Sequence, residues 1–134
     1  MTKVLRISEA ASLAIHTMVV LATDPTALTT TRKIAESLNV SEAHLSKVLQ
    51  RLSREGLVRT VRGPSGGAQL AKPAKEITLL KIYEVIEGPL DDNGCLLEDS
   101  TCNRESCIFG SVVSSVGRQI RDYMAKTTIH QLVE

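Results

Sequence analysis

No run of about eighteen apolar residues occurs in the chain, so no segment is suited to cross a membrane as a helix. The N-terminal stretch "MTKVLRISEAAS" also lacks the apolar core and small-residue cleavage site of a secretory leader, and a soluble, cytoplasmic protein is expected. An excess of charge of one sign is missing too: 23% of residues are charged, yet the formal net charge is only +1. That balance excludes a disordered polyelectrolyte, and it requires any affinity for nucleic acid to be local. Internal repeats and low-complexity tracts are absent. No nucleophile and base pair is visible, and "GPSGG" lacks the lysine and following helix of a phosphate loop, so an enzyme is not expected. Cysteine is absent until Cys95, and all three cysteines, Cys95, Cys102 and Cys107, fall in "NGCLLEDSTCNRESCIFG". An odd count in a reducing compartment argues against a structural disulfide.

What is present suits one domain with a proper core, since 43% of the 134 residues are hydrophobic. Ile7, Ala11, Ala14, Ile15, Met18, Leu21 and Ala22 recur at helical spacing behind Ser8, a natural N-cap, and "TDPT" ends the pattern. The opposite face of this first helix carries Glu9, Ser12 and His16, about one turn apart. Next, "LTTTRKIAESLNV" predicts a short threonine-capped helix closing at Asn39. Ser41 then caps "EAHLSKVLQRLSREG", whose Leu45, Val48, Leu49 and Leu52 form one stripe. On its own this could be an ordinary helical hairpin. The β-branched "LVRTV", the turn "RGPSGGA" and a returning "QLAK" shift the reading to a helix-turn-helix followed by a wing.

Charge supports that reading. From Thr29 to Arg62, the bases Arg32, Lys33, Lys47, Arg51, Arg54, Arg59 and Arg62 face only three acids, Glu36, Glu42 and Glu55. Side chains near the start of the second helix reach base edges in a major groove, so Ser41, His44 and Lys47 are candidate base or phosphate contacts. Glu42 is suited to rejecting some bases. Arg59 and Arg62 flank the wing, and Thr30, Thr31 and Arg32 suit a phosphate at a helix start. Arg51 on the helix and Gly63 and Ser65 on the wing complete the candidate DNA set.

A further helix is predicted in "TLLKIYEVIEG", stopped by Gly88 and Pro89. From Glu84 to Cys107 seven acids face the single base Arg104, as expected of a polar loop. Beyond it, Phe109, Val113, Val116, Ile120 and Tyr123 are spaced four, three, four and three, an apolar seam suited to a symmetry mate as well as to the chain's own core. The tail "TTIHQLVE" predicts a short helix capped by Thr128. The expected division is a winged-helix DNA-binding region at 1–90, a cysteine-bearing loop at 91–108 and a dimerisation helix with tail at 109–134. The fold class is mainly α with one small β-hairpin.

The cysteine spacing does not match a zinc finger, which pairs close cysteines and has a fourth ligand nearby. A loop offering a thiolate every five to seven residues can wrap an iron-sulfur cluster, and a thiol redox sensor or structural thiols fit the same spacing.

"LSKVLQRLSREGLVRTVRGPSGGAQLAK", then "ITLLKIYEVIEG", three loop cysteines and a long terminal helix together resemble the Rrf2 family of bacterial winged-helix regulators, over nearly the whole chain. The resemblance implies a homodimer on double-stranded operator DNA, its affinity controlled by an iron-sulfur cluster that senses redox state, nitric oxide or iron-sulfur status. Cys95, Cys102 and Cys107 match the family's cluster cysteines. The fourth ligand departs from part of the family: one branch places a histidine three residues after the last cysteine, where this chain has Gly110. A second branch draws an aspartate from the partner subunit's first helix, at the position of Ser12, and a third a histidine one turn on, where His16 stands. His16 is therefore the favoured fourth ligand, ahead of Ser12, Glu9 or an exogenous molecule. The cluster would be 4Fe-4S or 2Fe-2S, with a lean to the larger. A cluster-free regulator responding to thiols or a partner protein, and a zinc-stabilised DNA-binding protein, are the alternatives.

Overall fold

The computed structural model describes residues 7–90, 108–109 and 111–133. Its order is α1 (Glu9–Thr23), α2 (Thr31–Leu38), α3 (Glu42–Arg54), β1 (Val58–Val61), β2 (Gly67–Leu70), a single 3-10 turn at Ala74–Glu76, α4 (Leu79–Glu87), α5 (Val112–Lys126) and α6 (Ile129–Leu132). Four predicted caps are in place. Ser8, Thr30 and Ser41 accept from the amides of Ala11, Lys33 and His44, each at 3.1 Å, and Thr128 exchanges bonds with Gln131. Each such cap stabilises its helix by about 1 kcal/mol, because it satisfies an amide that the first turn leaves without a partner. Asn39 closes α2 in the left-handed region, at φ 55°, and this sharp reversal sets α3 across α2.

One core joins the elements. Ala11, Ala14, Met18 and Leu21 of α1 meet Ile34 of α2, Leu45, Val48 and Leu52 of α3, and Ile82 and Ile86 of α4. The stripe on α1 is wider than the sequence suggests, since Leu13 and Thr17 are buried as well. Ile7 is 52% exposed, outside the stripe the periodicity assigned to it, because it precedes the cap and lies beyond the helix. Thr17 is fully buried, and its hydroxyl has no hydrogen-bond partner among the described residues. Since a buried hydroxyl without a partner costs about 1–3 kcal/mol, Thr17→Val should stabilise the protein by about 1 kcal/mol in urea denaturation. A lower denaturation midpoint would show that the hydroxyl is used.

The hairpin is antiparallel, pairing Val58 with Leu70, Arg59 with Gln69, Thr60 with Ala68 and Val61 with Gly67. The returning strand starts at Gly67, inside the stretch read from sequence as turn, and it stops at Leu70. The reason is a contact distant in sequence. Thr29, just ahead of α2, exchanges both backbone hydrogen bonds with Ala68, at 2.9 and 2.8 Å, and draws Gly67 into extended pairing. The wing is thereby fastened to the start of α2. At the other end, Leu79 N donates to Thr127 O and Ile129 N to Ile77 O, stitching the C-terminal segment to the lead-in of α4.

The apolar seam on α5 divides. Val113, Gly117 and Met124 are buried, and Ile120 packs against the core. Phe109, Val116 and Tyr123 face outward with Val112, and Tyr123 is 60% exposed. At about 100° per residue, Val112, Tyr123 and Val116 occupy one edge of an apolar arc whose other edge is the buried set. The heptad spacing therefore spans two surfaces, one used within the chain and one left open.

Candidate nucleic-acid interface and sensor face

The buried stripe of α3 leaves Ala43, Lys47, Gln50 and Arg54 on its outward ridge. One side of this ridge, the first turn of α2 and the wing enclose a concave surface of about 760 Å³. Thr30, Thr31 and Arg32 line it from α2, Ser46, Gln50 and Arg54 from α3, and Arg62 and Gly63 from the wing. The start of α2 lines this space, and a helix N-terminus favours an anion, so the surface suits a phosphate by backbone as well as by cationic side chains. Lys47, Arg54 and Arg62 make no ion pair among the described residues.

Of the residues singled out from sequence, the concavity gathers Thr30, Thr31, Arg32, Arg62 and Gly63, with Glu42 as its one acid. Ser41 caps α3 at its edge, Lys47 stands on the ridge, and Ser65 is exposed at the wing tip. Arg32 pairs with Glu36 at 3.1 Å and Arg59 donates to Gln69 at 2.6 Å, both on the surface. Exposed pairs of this kind contribute little, about 0–1 kcal/mol, so a phosphate can compete for either arginine. Ser46, Gln50 and Arg54 join the concavity from outside the candidate set, and their spacing of four and four in the sequence aligns them along one side of the helix.

His44 and Arg51 are placed differently. Both lie on the flank of α3 that turns from the wing toward the rest of the protein. Arg51 donates to the carbonyls of Ile86 and Val85, at 2.7 and 3.2 Å. His44 lines a second groove, of about 430 Å³, with Leu38 and Val40 of the turn and Glu9, Ser12, Leu13 and His16 of α1. The polar face predicted on α1 thus borders the recognition helix.

His16 is exposed, and its Nδ1 lies 2.7 Å from Ser12 O and 3.4 Å from Ser12 Oγ. A carbonyl oxygen can only accept, so Nδ1 carries the hydrogen and the neutral ring keeps its lone pair on Nε2. A backbone carbonyl that fixes the tautomer in this way is the usual outer-shell arrangement of a metal-binding histidine. Among the described residues, no group of three His, Cys, Asp or Glu side chains is arranged to hold a metal ion. The three cysteines and Gly110 lie outside the described residues. No helix of the described residues is long and apolar enough to cross a membrane.

A short helix, a left-handed turn, a recognition helix and a two-stranded wing over a concave, donor-rich surface define a winged helix-turn-helix DNA-binding protein. The chain belongs to the Rrf2 family, whose model, described as an iron-dependent transcriptional regulator, matches residues 7–134. It is similar to CymR of B. subtilis, titled the global cysteine regulator, with a TM-score of 0.83 and 28% identity over 96% of each chain. It is also similar to T. potens IscR, with a TM-score of 0.75 and 25% identity over 96% of this chain and 86% of that one. A protein of Neisseria meningitidis named as an HTH-type transcriptional regulator is 31% identical over 75% of this chain and 68% of its own length. The chain is accordingly a DNA-binding transcriptional regulator and not an enzyme.

Proposed function

We propose that the chain acts as a cytoplasmic homodimer whose operator affinity is set by an iron-sulfur cluster held by Cys95, Cys102 and Cys107 of one protomer and the partner's His16. The observation that carries this reading is the exposed His16 ring, with Nδ1 committed to Ser12 O and the lone pair left on Nε2. The donor set fits: three thiolates lack one ligand, imidazole is a competent iron ligand, and the chain has no histidine just after Cys107. When bound, such a cluster supplies an iron centre that reacts with oxidants and nitric oxide. The chain's own part is to offer thiolates from one protomer and a fixed imidazole from the other, so that the site depends on how the two protomers sit. The open edge of α5, with Val112, Val116 and Tyr123, supplies the dimer surface in the 109–134 region. Residues 1–90 carry DNA recognition through Thr31, Arg32, Ser41, Lys47, Arg62, Gly63 and Ser65, with Arg59 released from Gln69 when a phosphate is near.

Absorption and Mössbauer spectra of anaerobically isolated wild type and His16→Ala test the ligand set. Wild type should show sulfide-to-iron bands, and His16→Ala should retain thiolate-bound iron with altered bands and one changed iron site. Identical spectra and iron content in the two proteins would remove His16 from the shell. The similarity to a global cysteine regulator favours one second reading, in which the same fold responds to thiol chemistry without a cluster. That reading predicts colourless protein even after anaerobic reconstitution.

A further inference from the structure

The last turn of α4 leads into residue 91 and the cysteine-bearing segment, and three other elements hold it. From α3, the Arg51 guanidinium donates to Ile86 O at 2.7 Å and Val85 O at 3.2 Å. From the start of α1, Ser8 Oγ donates to Glu87 Oε1, while the same oxygen caps the helix that carries His16. From α5, Arg121 Nη1 donates to Leu90 O at 3.3 Å, and the Leu90 side chain is buried. The carbonyls that Arg51 meets are among those a helix leaves without an amide partner at its C-terminus, and a cation there is also favoured by the helix dipole.

We propose that Arg51 is a positioning residue linking the root of the cysteine-bearing segment to the recognition helix, rather than a phosphate contact. Its flank of α3 faces away from the concave surface that the wing, α2 and Ser46, Gln50 and Arg54 enclose. One nitrogen spans two successive carbonyls, so a shift of α4's last turn must either carry α3 with it or break both bonds. A lysine in its place keeps the charge but ends in a single compact donor on a flexible stem. Arg51 thus transmits displacement in both directions, and DNA held by α3 steadies the end of α4.

The link to the cluster rests on the preceding reading, but the decisive measurement does not. Hydrogen exchange is followed at the amides of Glu87, Gly88 and Leu90 in metal-free protein, with and without a duplex selected by the wild type from a random-sequence pool. Because coupling between sites is reciprocal, the duplex should slow exchange there by about fivefold or more in the wild type, and this response should vanish in Arg51→Gln. Should that variant not fold, Arg51→Lys should lose most of the response. An undiminished response in either variant, with only a salt dependence of binding shallower by about 0.9, would make Arg51 a phosphate contact and overturn the proposal. In reconstituted protein, the affinity difference between loaded and metal-free forms should shrink to within about twofold in Arg51→Gln, with iron content and visible spectrum unchanged. A wild type with no such difference would refute control by the cluster, and the exchange response would still decide the role of Arg51.

Discussion

Gly67→Ala is expected to detach the wing from α2 and to weaken duplex binding by about tenfold or more, while the helical core remains folded. A Cβ on Gly67 would sit 2.3 Å from Thr29 O and 2.6 Å from Thr29 C, and both are backbone atoms with no side-chain torsion to relieve the contact. The Thr29 and Ala68 pairing would have to open, removing two backbone hydrogen bonds. Gly66 is equally confined, with Val61 O at 2.0 Å from its Cβ position. Gly63 at the turn has nothing within 4 Å, so Gly63→Ala meets only the strain of φ +108°, about 1–3 kcal/mol. Affinity measured across a salt series separates the causes. If the wing delivers Arg59 and Arg62 to two phosphates, the slope of log affinity against log salt should become shallower by about 1.8 in Gly67→Ala. A variant that binds with wild-type affinity and slope would show that the wing does not engage the duplex.

Cys102→Ala is expected to abolish the visible absorbance of anaerobically isolated protein and to bring its operator affinity to that of metal-free wild type. The physical reason is coordination number: two thiolates and one imidazole leave an iron-sulfur core exposed to solvent, where it is lost. A coupling of 1–3 kcal/mol is typical of such switches, so the loaded and metal-free affinities should differ by about 5-fold to 150-fold. Affinity in Cys102→Ala equal to that of loaded wild type would refute cluster control. Gly67→Ala and Cys102→Ala act on different quantities, the strength of binding and its dependence on state, and the double variant should show both losses independently.

Local chemistry made most of the fold legible. Ser8, Thr30, Ser41 and Thr128 each precede an apolar periodicity, and each caps the helix expected of it, because a hydroxyl one residue ahead of a first turn has few better partners. The hairpin was legible from β-branched residues around a Gly and Pro turn, but not the start of β2, which depends on Thr29 reaching across from another element. The α5 seam shows the same limit: spacing places Phe109, Val116 and Tyr123 beside Val113, and only the position of α4 decides which edge is covered.

For the candidate site, the basic module and the polar face of α1 were visible in the residues themselves. The orientation of His44 and Arg51 was not. Both sit in a stretch rich in DNA-binding residue types, and both turn toward α1 and α4, because the flank of α3 they occupy is set by the direction of its buried stripe. The tautomer of His16 was likewise out of reach, since it follows from helical backbone placing Ser12 O beside the ring.

The stitching of Ile77 and Leu79 to Thr127 and Ile129 has a mechanical consequence for α5. The helix is pinned where it ends, by those backbone bonds and by the buried Met124 and Ile129, and along its inner edge by Val113, Gly117 and Ile120. A rod fastened at its end and along one side can roll about that side but cannot slide. Under the proposed function, a change at the cysteines would reach the anchor beside α4 as such a roll, one helix away from the DNA-reading surface.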